Sequence, residues 1–493
     1  MNEILNKRRA GVLLHITSLP GEGDLGQNAY RFVDFLHSTS ASVWQTLPLG
    51  VTHADGSPYQ CLSAHAGNPN LISIDWLIAK GWFQPIEKCT ECEGTPKFEK
   101  SCMLSKAYEI FLEKADQHQK DHFSYFCHEK ASWLDDFALF MALRIEFNEL
   151  CWNQWPEPYK ERDSKAIKAI SLRLKKSIDT IKFEQYVFFE QWMQLKAYAN
   201  QQGVLLFGDI PIFVSYDSAD VWANREVFKL DDAGEMLVVA GVPPDYFSAT
   251  GQRWGNPHYN WHYLKKTGFD WWLERMKTQL EQFDILRIDH FRGLEAAWEI
   301  PAHEPTAQIG EWVKAPGKAL LKAIQDEFSS IPLVAEDLGI ITDEVEALRD
   351  EFDLPGMKIL QFAFGGGHDN PYLPINHEKN SVVYTGTHDN DTTVGWSLQL
   401  NEGERRYIYE YLGNPATSLH CALIQAALAS VANLAVIPMQ DILELGSEHR
   451  MNTPGTTNGN WQWRFHWEQL SAERIDRFAH LIDLFNRGDA KIA

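Results

Sequence analysis

A chain of 493 residues has room for two or three ordinary domains, or for one large barrel carrying insertions. With 44% hydrophobic and 23% charged residues it reads as globular, neither disordered nor fibrous. Its formal net charge of −22 excludes nucleic acid and anionic membrane surfaces as expected partners, because a polyanion would be repelled. The basic clusters NKRR and LRLKK are short and read as solvated helix faces. No run of about 18 apolar residues is present, so no spanning helix is expected. The stretch GVLLHI behind the N-terminal charges is too short for a signal peptide and lacks a small-residue cleavage pattern. Seven scattered cysteines suit reduced thiols and a cytoplasmic location. Cys89 and Cys92 form one C-x-x-C, with Cys102 the only near candidate for a further ligand; a structural zinc site needs four, so no metal is expected.

In chain order, eight short apolar, β-branched runs recur, most of them followed by a helical pattern. They are GVLLHI from Gly11, VWQTLP from Val43, VLLFGDIPIFV from Val204, ILRID from Ile285, PLVAEDL from Pro332, MKILQFAF from Met357, VVYTGTHD from Val382 and LAVIPMQDIL from Leu434. Alternating strand and helix signals predict a parallel sheet, and eight units favour a closed (β/α)₈ TIM barrel over an open doubly wound sheet. No G-x-G-x-x-G follows the first run, which weakens a dinucleotide-binding reading. The unequal spacing predicts a single barrel over 1–493 with two insertions. Residues 70–203, after the second strand, read as mainly helical, with Trp133, Phe137, Phe140 and Met141, then Phe183, Tyr186, Phe189 and Trp192, at spacings of three and four. Residues 222–265, after the third strand, read as a β-hairpin turning at Gly234 and then a long polar, aromatic loop. A loop of that length is expected to be functional.

Barrel enzymes work at the C-terminal ends of their strands. Three acids fall there: Asp289 on the fourth run, Glu336 on the fifth and Asp389 on the seventh. A helix cap or a salt bridge explains one such acid readily, and Asp337 reads as a cap. Three acids on three strands converge on one mouth, where their mutual repulsion must be compensated or used. Retaining cleavage of a glycosidic bond uses two carboxyl groups, one attacking the anomeric carbon and one delivering a proton, about 5 Å apart. Arg287, on the same strand face as Asp289, is expected to keep that aspartate ionised, while a drier and more negative setting keeps Glu336 protonated. Taken alone, Arg287 is equally well explained as a barrel-interior ion pair.

WQTLPLG, SPYQ, AGNP, GDIPIFV, GQRWGNP, LRIDHFRG, AEDLG, NPYLP and YTGTHDNDT, in this order, resemble the amylomaltases or 4-α-glucanotransferases (disproportionating enzymes) of the α-amylase clan. The resemblance runs from RRAGVLLHITSLPG to NTPGT and NWQWR, nearly the whole chain. It implies Asp289 as nucleophile, Glu336 as general acid/base, and Asp389 as the carboxylate that grips sugar hydroxyls and stabilises the oxocarbenium-like transition state. It implies that Arg287 and His388 position the sugar, with His290 nearby, and that Asp209 contacts the donor. Tyr59, beside Ser57 in SPYQ, is implied as the ring beneath the donor glucose. Gln252 and Trp254 in GQRWGNP, and Asn460 with Trp461 in NTPGTTNGNW, match loops that fold over the glucan. Shielding by such loops lets the 4-hydroxyl of another glucan outcompete water.

The expected activity is therefore retaining transfer of α-1,4-glucan segments to a glucose or glucan acceptor. Maltooligosaccharides serve as donor and acceptor, and the chemistry requires no cofactor. The rival readings are an α-1,4-glucan hydrolase with the same carboxylates, and a non-catalytic glucan-binding protein, which the presence of all three acids disfavours. Sugar stacking gives a use to some of the 18 tryptophans, though a tryptophan outside these loops is expected in the core. His53, His65 and His258 read as packed or surface histidines. The chain departs from the family pattern at Glu22, His65, His258 and INHEKN, none of them proposed as catalytic.

Overall fold

The structure is a computed structural model describing residues 4–84, 96–245, 248–328 and 332–488. Cys89 and Cys92 lie outside the described residues. Among the described residues twelve strands form: β1 (Arg9–Leu13), β2 (Val43–Gln45), β3 (Leu205–Pro211), β4 (Val238–Val242), β5 (Gln252–Pro257), β6 (Ile285–Asp289), β7 (Ala296–Pro301), β8 (Glu311–Lys314), β9 (Leu333–Ala335), β10 (Gly356–Ile359), β11 (Ser381–Tyr384) and β12 (Leu434–Pro438). Eight of them, ordered β10-β11-β12-β1-β2-β3-β6-β9, make one parallel sheet, with helices in the connections. They fall on the eight runs read from the sequence, and the fold is a (β/α)₈ barrel.

Between β9 and β10 the ladder is replaced by two bonds. The Ala335 N–H donates to the Pro355 carbonyl at 2.9 Å, and the Met357 N–H donates to Asp337 Oδ1 at 2.7 Å. The other oxygen of Asp337 accepts from Arg349 at 2.6 Å. The expected helix cap is thus corrected: Asp337 stitches the seam of the barrel, because its carboxylate faces an unpaired strand N–H instead of a helix N-terminus.

Strand alternation explains ILRID. Leu286 and Ile288 pack outward into the large cluster beneath the helices, whereas Ile285 joins Phe207, Val334, Val382, Tyr384 and Val436 inside the barrel. Each such burial contributes roughly 1.5–3 kcal/mol. Side chains repeat every second residue, so Arg287 and Asp289 share the inward face of Ile285. On β3 the same rule turns Phe207 and Asp209 inward, and Asp209 is the register partner of Arg287.

Among the described residues from 74 to 201, the chain between β2 and β3 is mostly helical, including Ala131–Glu146 and the long Lys175–Gln201. The aromatic residues of both are buried: Trp133 and Phe189 meet between the two helices with ring centroids 5.9 Å apart, while Phe140 packs on Trp155 and Trp222, Phe183 on Phe111, and Trp192 on Phe283. Gly234, at φ +81, makes the expected turn, closed by a bridge between Leu230 and Met236. GQRWGNP, expected as part of a loop, is strand β5 in a second, antiparallel sheet ordered β5-β4-β7-β8. Half of that sheet comes from 296–314, after the fourth barrel strand. His65 and His258 are buried and bonded, to Thr278 Oγ1 at 2.9 Å and to the Trp298 carbonyl at 3.2 Å.

Candidate active site

The inward residues of β3 and β6 meet at the C-terminal mouth. Arg287 binds Asp209 through Nη1 and Asp289 Oδ1 through Nη2 at 2.5 Å, so one guanidinium bridges a covered and an open carboxylate. The Asp209 side chain is fully buried, while that of Asp289 is 29% exposed to the cleft. The Tyr59 hydroxyl donates to Asp209 Oδ2 at 2.7 Å, fixing its ring against His388 in a stack with centroids 5.3 Å apart. Asp209 therefore holds Tyr59 and Arg287 in place. Ser57, two residues before Tyr59, accepts the Tyr59 N–H at 3.4 Å.

Glu336 lies just beyond β9, beside β6. Its Oε2 accepts the N–H of His290 at 2.6 Å, the peptide N–H immediately after Asp289, and its Oε1 accepts the Leu338 N–H at 3.1 Å. His290 adopts φ +54, a left-handed conformation that costs a side-chain-bearing residue energy. Burial, reinforced by the negative charge of Asp289, pushes the Glu336 carboxyl up to about 8. Burial also raises Asp289, to about 6, with Arg287 pulling the other way. Arg287 was expected to keep Asp289 ionised; it pulls in that direction, burial outweighs it, and Asp289 still ionises before Glu336. The two groups titrate as a pair.

Asp389, beyond β11, is held well below the usual carboxylate range. Burial opposes this, but the His388 imidazole at 3.3 Å and the Asn452 amide at 2.6 Å from its oxygens prevail. Trp254 meets the His290 ring edge-on at 4.8 Å, and the Trp461 ring lies 6.0 Å from both Tyr59 and His388. Gln252 is exposed and accepts the Trp254 indole N–H at 3.2 Å. Asn460 accepts the Thr453 N–H at 3.0 Å and donates to the Thr456 carbonyl at 2.9 Å, so it pins its own loop. His290 Nε2 is buried and unpartnered, and burial pushes this imidazole down to about 3, leaving it neutral.

Sequence reading did not single out Asn452, Arg450 or Asp441. Asn452 opens the NTPGT motif, so the motif pointed to the right loop. Arg450 donates to the Asp389 carbonyl at 3.0 Å. Asp441 takes the hydroxyls of Thr385 and Thr393, each at 2.6 Å, and the Thr393 N–H at 2.7 Å, tying down both flanks of the segment that carries His388 and Asp389.

The bridge makes a prediction for stability. Arg287→Met leaves the covered Asp209 without its cation, and breaking a buried pair from one side costs about 3–5 kcal/mol. Urea denaturation should show that loss, and an unchanged midpoint would contradict a stabilising bridge.

Comparison with known proteins identifies the family. The family model described as 4-alpha-glucanotransferase matches residues 14–471. The 4-alpha-glucanotransferase of Synechocystis sp. is 48% identical over 98% of this chain and 99% of its own length. That of Thermus thermophilus is 47% identical over 97% and 99%. The amylomaltase of Streptococcus agalactiae, solved in complex with acarbose, superposes with a TM-score of 0.93 at 38% identity, covering 98% of this chain and all of its own. The amylomaltase of Corynebacterium glutamicum, at 18% identity and a TM-score of 0.73, shares the fold over 96% of this chain and 75% of its own. With its family match spanning almost the whole barrel, the chain belongs to the 4-alpha-glucanotransferase family.

Proposed function

We propose that this enzyme transfers α-1,4-glucan segments between maltooligosaccharides by double displacement with retention, using Asp289 as nucleophile and Glu336 as general acid/base. The observation that carries this reading is the contact between Glu336 Oε2 and the N–H that follows Asp289, which brings Glu336 to the strand end that carries Asp289; burial and the Asp289 charge then raise Glu336 above Asp289. Asp289 attacks the anomeric carbon while Glu336 gives its proton to the departing glycosidic oxygen. The shorter glucan leaves as an alcohol and the donor segment stays as an ester on Asp289. Esterification removes the charge that raises Glu336, so the carboxyl becomes more acidic, as its second task requires. Glu336, now a carboxylate, takes the proton from an acceptor 4-hydroxyl, whose oxygen displaces Asp289. Both partners return to their starting states.

Around this pair, Asp389 and His388 grip the hydroxyls of the donor glucose, Tyr59 supplies the stacking face, and Arg287 positions Asp289. Trp254, Gln252, Ser57 and His290 line the approach, while Asn460 holds the Trp461 loop in shape over it. A neutral glucan suits a chain of net charge −22, which repels polyanions. Among the described residues no helix is long and apolar enough to cross a membrane, and the free thiols of Cys61, Cys127 and Cys421 support a cytoplasmic location.

Incubation with maltotriose tests the reading. Transfer yields free glucose and chains longer than three units at nearly constant total reducing ends. A steady rise in reducing ends without longer chains would establish hydrolysis instead, and no reaction would indicate a binding protein. The pair also sets a pH profile. Acid below about 6 protonates Asp289, and base above about 8 removes the proton of Glu336, so kcat/KM for maltotriose should fall on both sides of that window. A rate that keeps rising past the upper limb would rule out Glu336 as the acid.

A further inference from the structure

Among the described residues, one group of three potential metal ligands has ligand atoms that converge, and the reaction does not use it. His420 and Cys421 begin the helix Leu419–Ala429, and Glu444 sits on the turn after β12 and the short helix Met439–Ile442. A single nitrogen, His420 Nε2, faces both other groups: Cys421 Sγ at 3.3 Å and Glu444 Oε1 at 3.5 Å, with all three atoms within 4.8 Å of one another. That nitrogen thus lies between a thiol and a carboxylate, where a cation can take the place of a shared proton, and 3.5 Å is beyond good hydrogen-bond length. A tetrahedral ion with a 2.3 Å bond to sulfur and a 2.0 Å bond to nitrogen would set those two atoms about 3.5 Å apart. The observed sulfur–nitrogen and nitrogen–oxygen separations are both close to the edges of such a tetrahedron.

Other features suit an ion. Cys421 is buried with its sulfur turned to the His420 nitrogen, and a thiol in that place gives up its proton when it takes a metal. His420 and Glu444 are 14% and 25% exposed, which leaves an entry path and room for a water in the fourth position. Arg474 holds Glu444 Oε2 at 3.3 Å, and Arg477 holds Oε1. Arg474 can stay as the outer partner that orients a ligating carboxylate. Arg477, 37% exposed, is free to yield Oε1 to an ion.

We propose that His420, Cys421 and Glu444 form a three-ligand site for a borderline-soft divalent cation of the zinc class, separate from the transfer chemistry. Three residues before Glu444, Asp441 anchors the segment carrying Asp389, so an ion there would stiffen the base of the mouth.

The test uses the full chain stripped of metal and titrated with cobalt(II), then with zinc(II) as competitor. The expected result is one cobalt bound with a sulfur-to-cobalt charge-transfer band in the near ultraviolet, displaced by one equivalent of zinc. Cys421→Ser should abolish the band, and His420→Asn should weaken zinc binding by at least the order of 100-fold that even an outer partner can be worth. A Cys89→Ser, Cys92→Ser double variant should keep both. Retained transfer on maltotriose by Cys421→Ser and His420→Asn confirms that they fold. Absence of the band in the unmutated chain would overturn the proposal. So would a band that survives Cys421→Ser, or one lost only in the Cys89, Cys92 variant.

Discussion

Asp289→Asn should lower transfer by on the order of 10⁴-fold or more, while maltooligosaccharides still bind. The amide is nearly isosteric and keeps an oxygen for Arg287, so the mouth should keep its shape. What disappears is the negative charge that forms the ester, and no neighbouring group replaces it: Asp209 is sealed behind Arg287, and Asp389 is engaged by His388 and Asn452. Removing the charge also takes away one of the influences that raise Glu336, so its carboxyl should titrate lower in the variant. Calorimetry with maltotriose and a sensitive transfer assay separate binding from turnover. Full binding with residual transfer near the parent rate would remove Asp289 from the nucleophile role.

Glu336→Gln should show a different pattern. With maltotriose, whose leaving group needs a proton, transfer should fall by roughly the 10²–10⁴-fold that a positioned general acid supplies. With α-maltosyl fluoride, whose leaving group needs little help, the first step should recover. The second still lacks a base, so a burst of one fluoride per enzyme should precede slow turnover. The glutamine can accept the His290 N–H through its amide oxygen, so the fold around Asp289 should persist. A variant equally impaired on both donors would place Glu336 in a structural role.

The barrel was legible because its eight strands are short apolar runs, most of them followed by a helical pattern, and because three acids fall where such runs stop. The second sheet was not. Its strand β5 contains Gly255, Asn256 and Pro257, residues whose turn chemistry masks a strand held by β4 beside it. Arg287 shows a second limit. Spacing put it on the face of Asp289, but that its other partner would be Asp209 depends on strand register, which long insertions hide. At the loop after residue 450 the motif was visible, while the choice of which asparagine reaches Asp389 rests on the path of the chain. Asn452 follows directly on Met451 at the inner wall, whereas Asn460 faces back into its own loop. Asp441, within an apolar run, carries no local sign that three donors will converge on it.

The most direct test is to find the ester. Glu336→Gln, mixed with α-maltosyl fluoride and quenched in acid during the burst, should gain the mass of one maltosyl unit, and peptide mapping should place it on the fragment containing Asp289. A burst without added mass, or sugar attached to any other residue, would contradict the double displacement on Asp289.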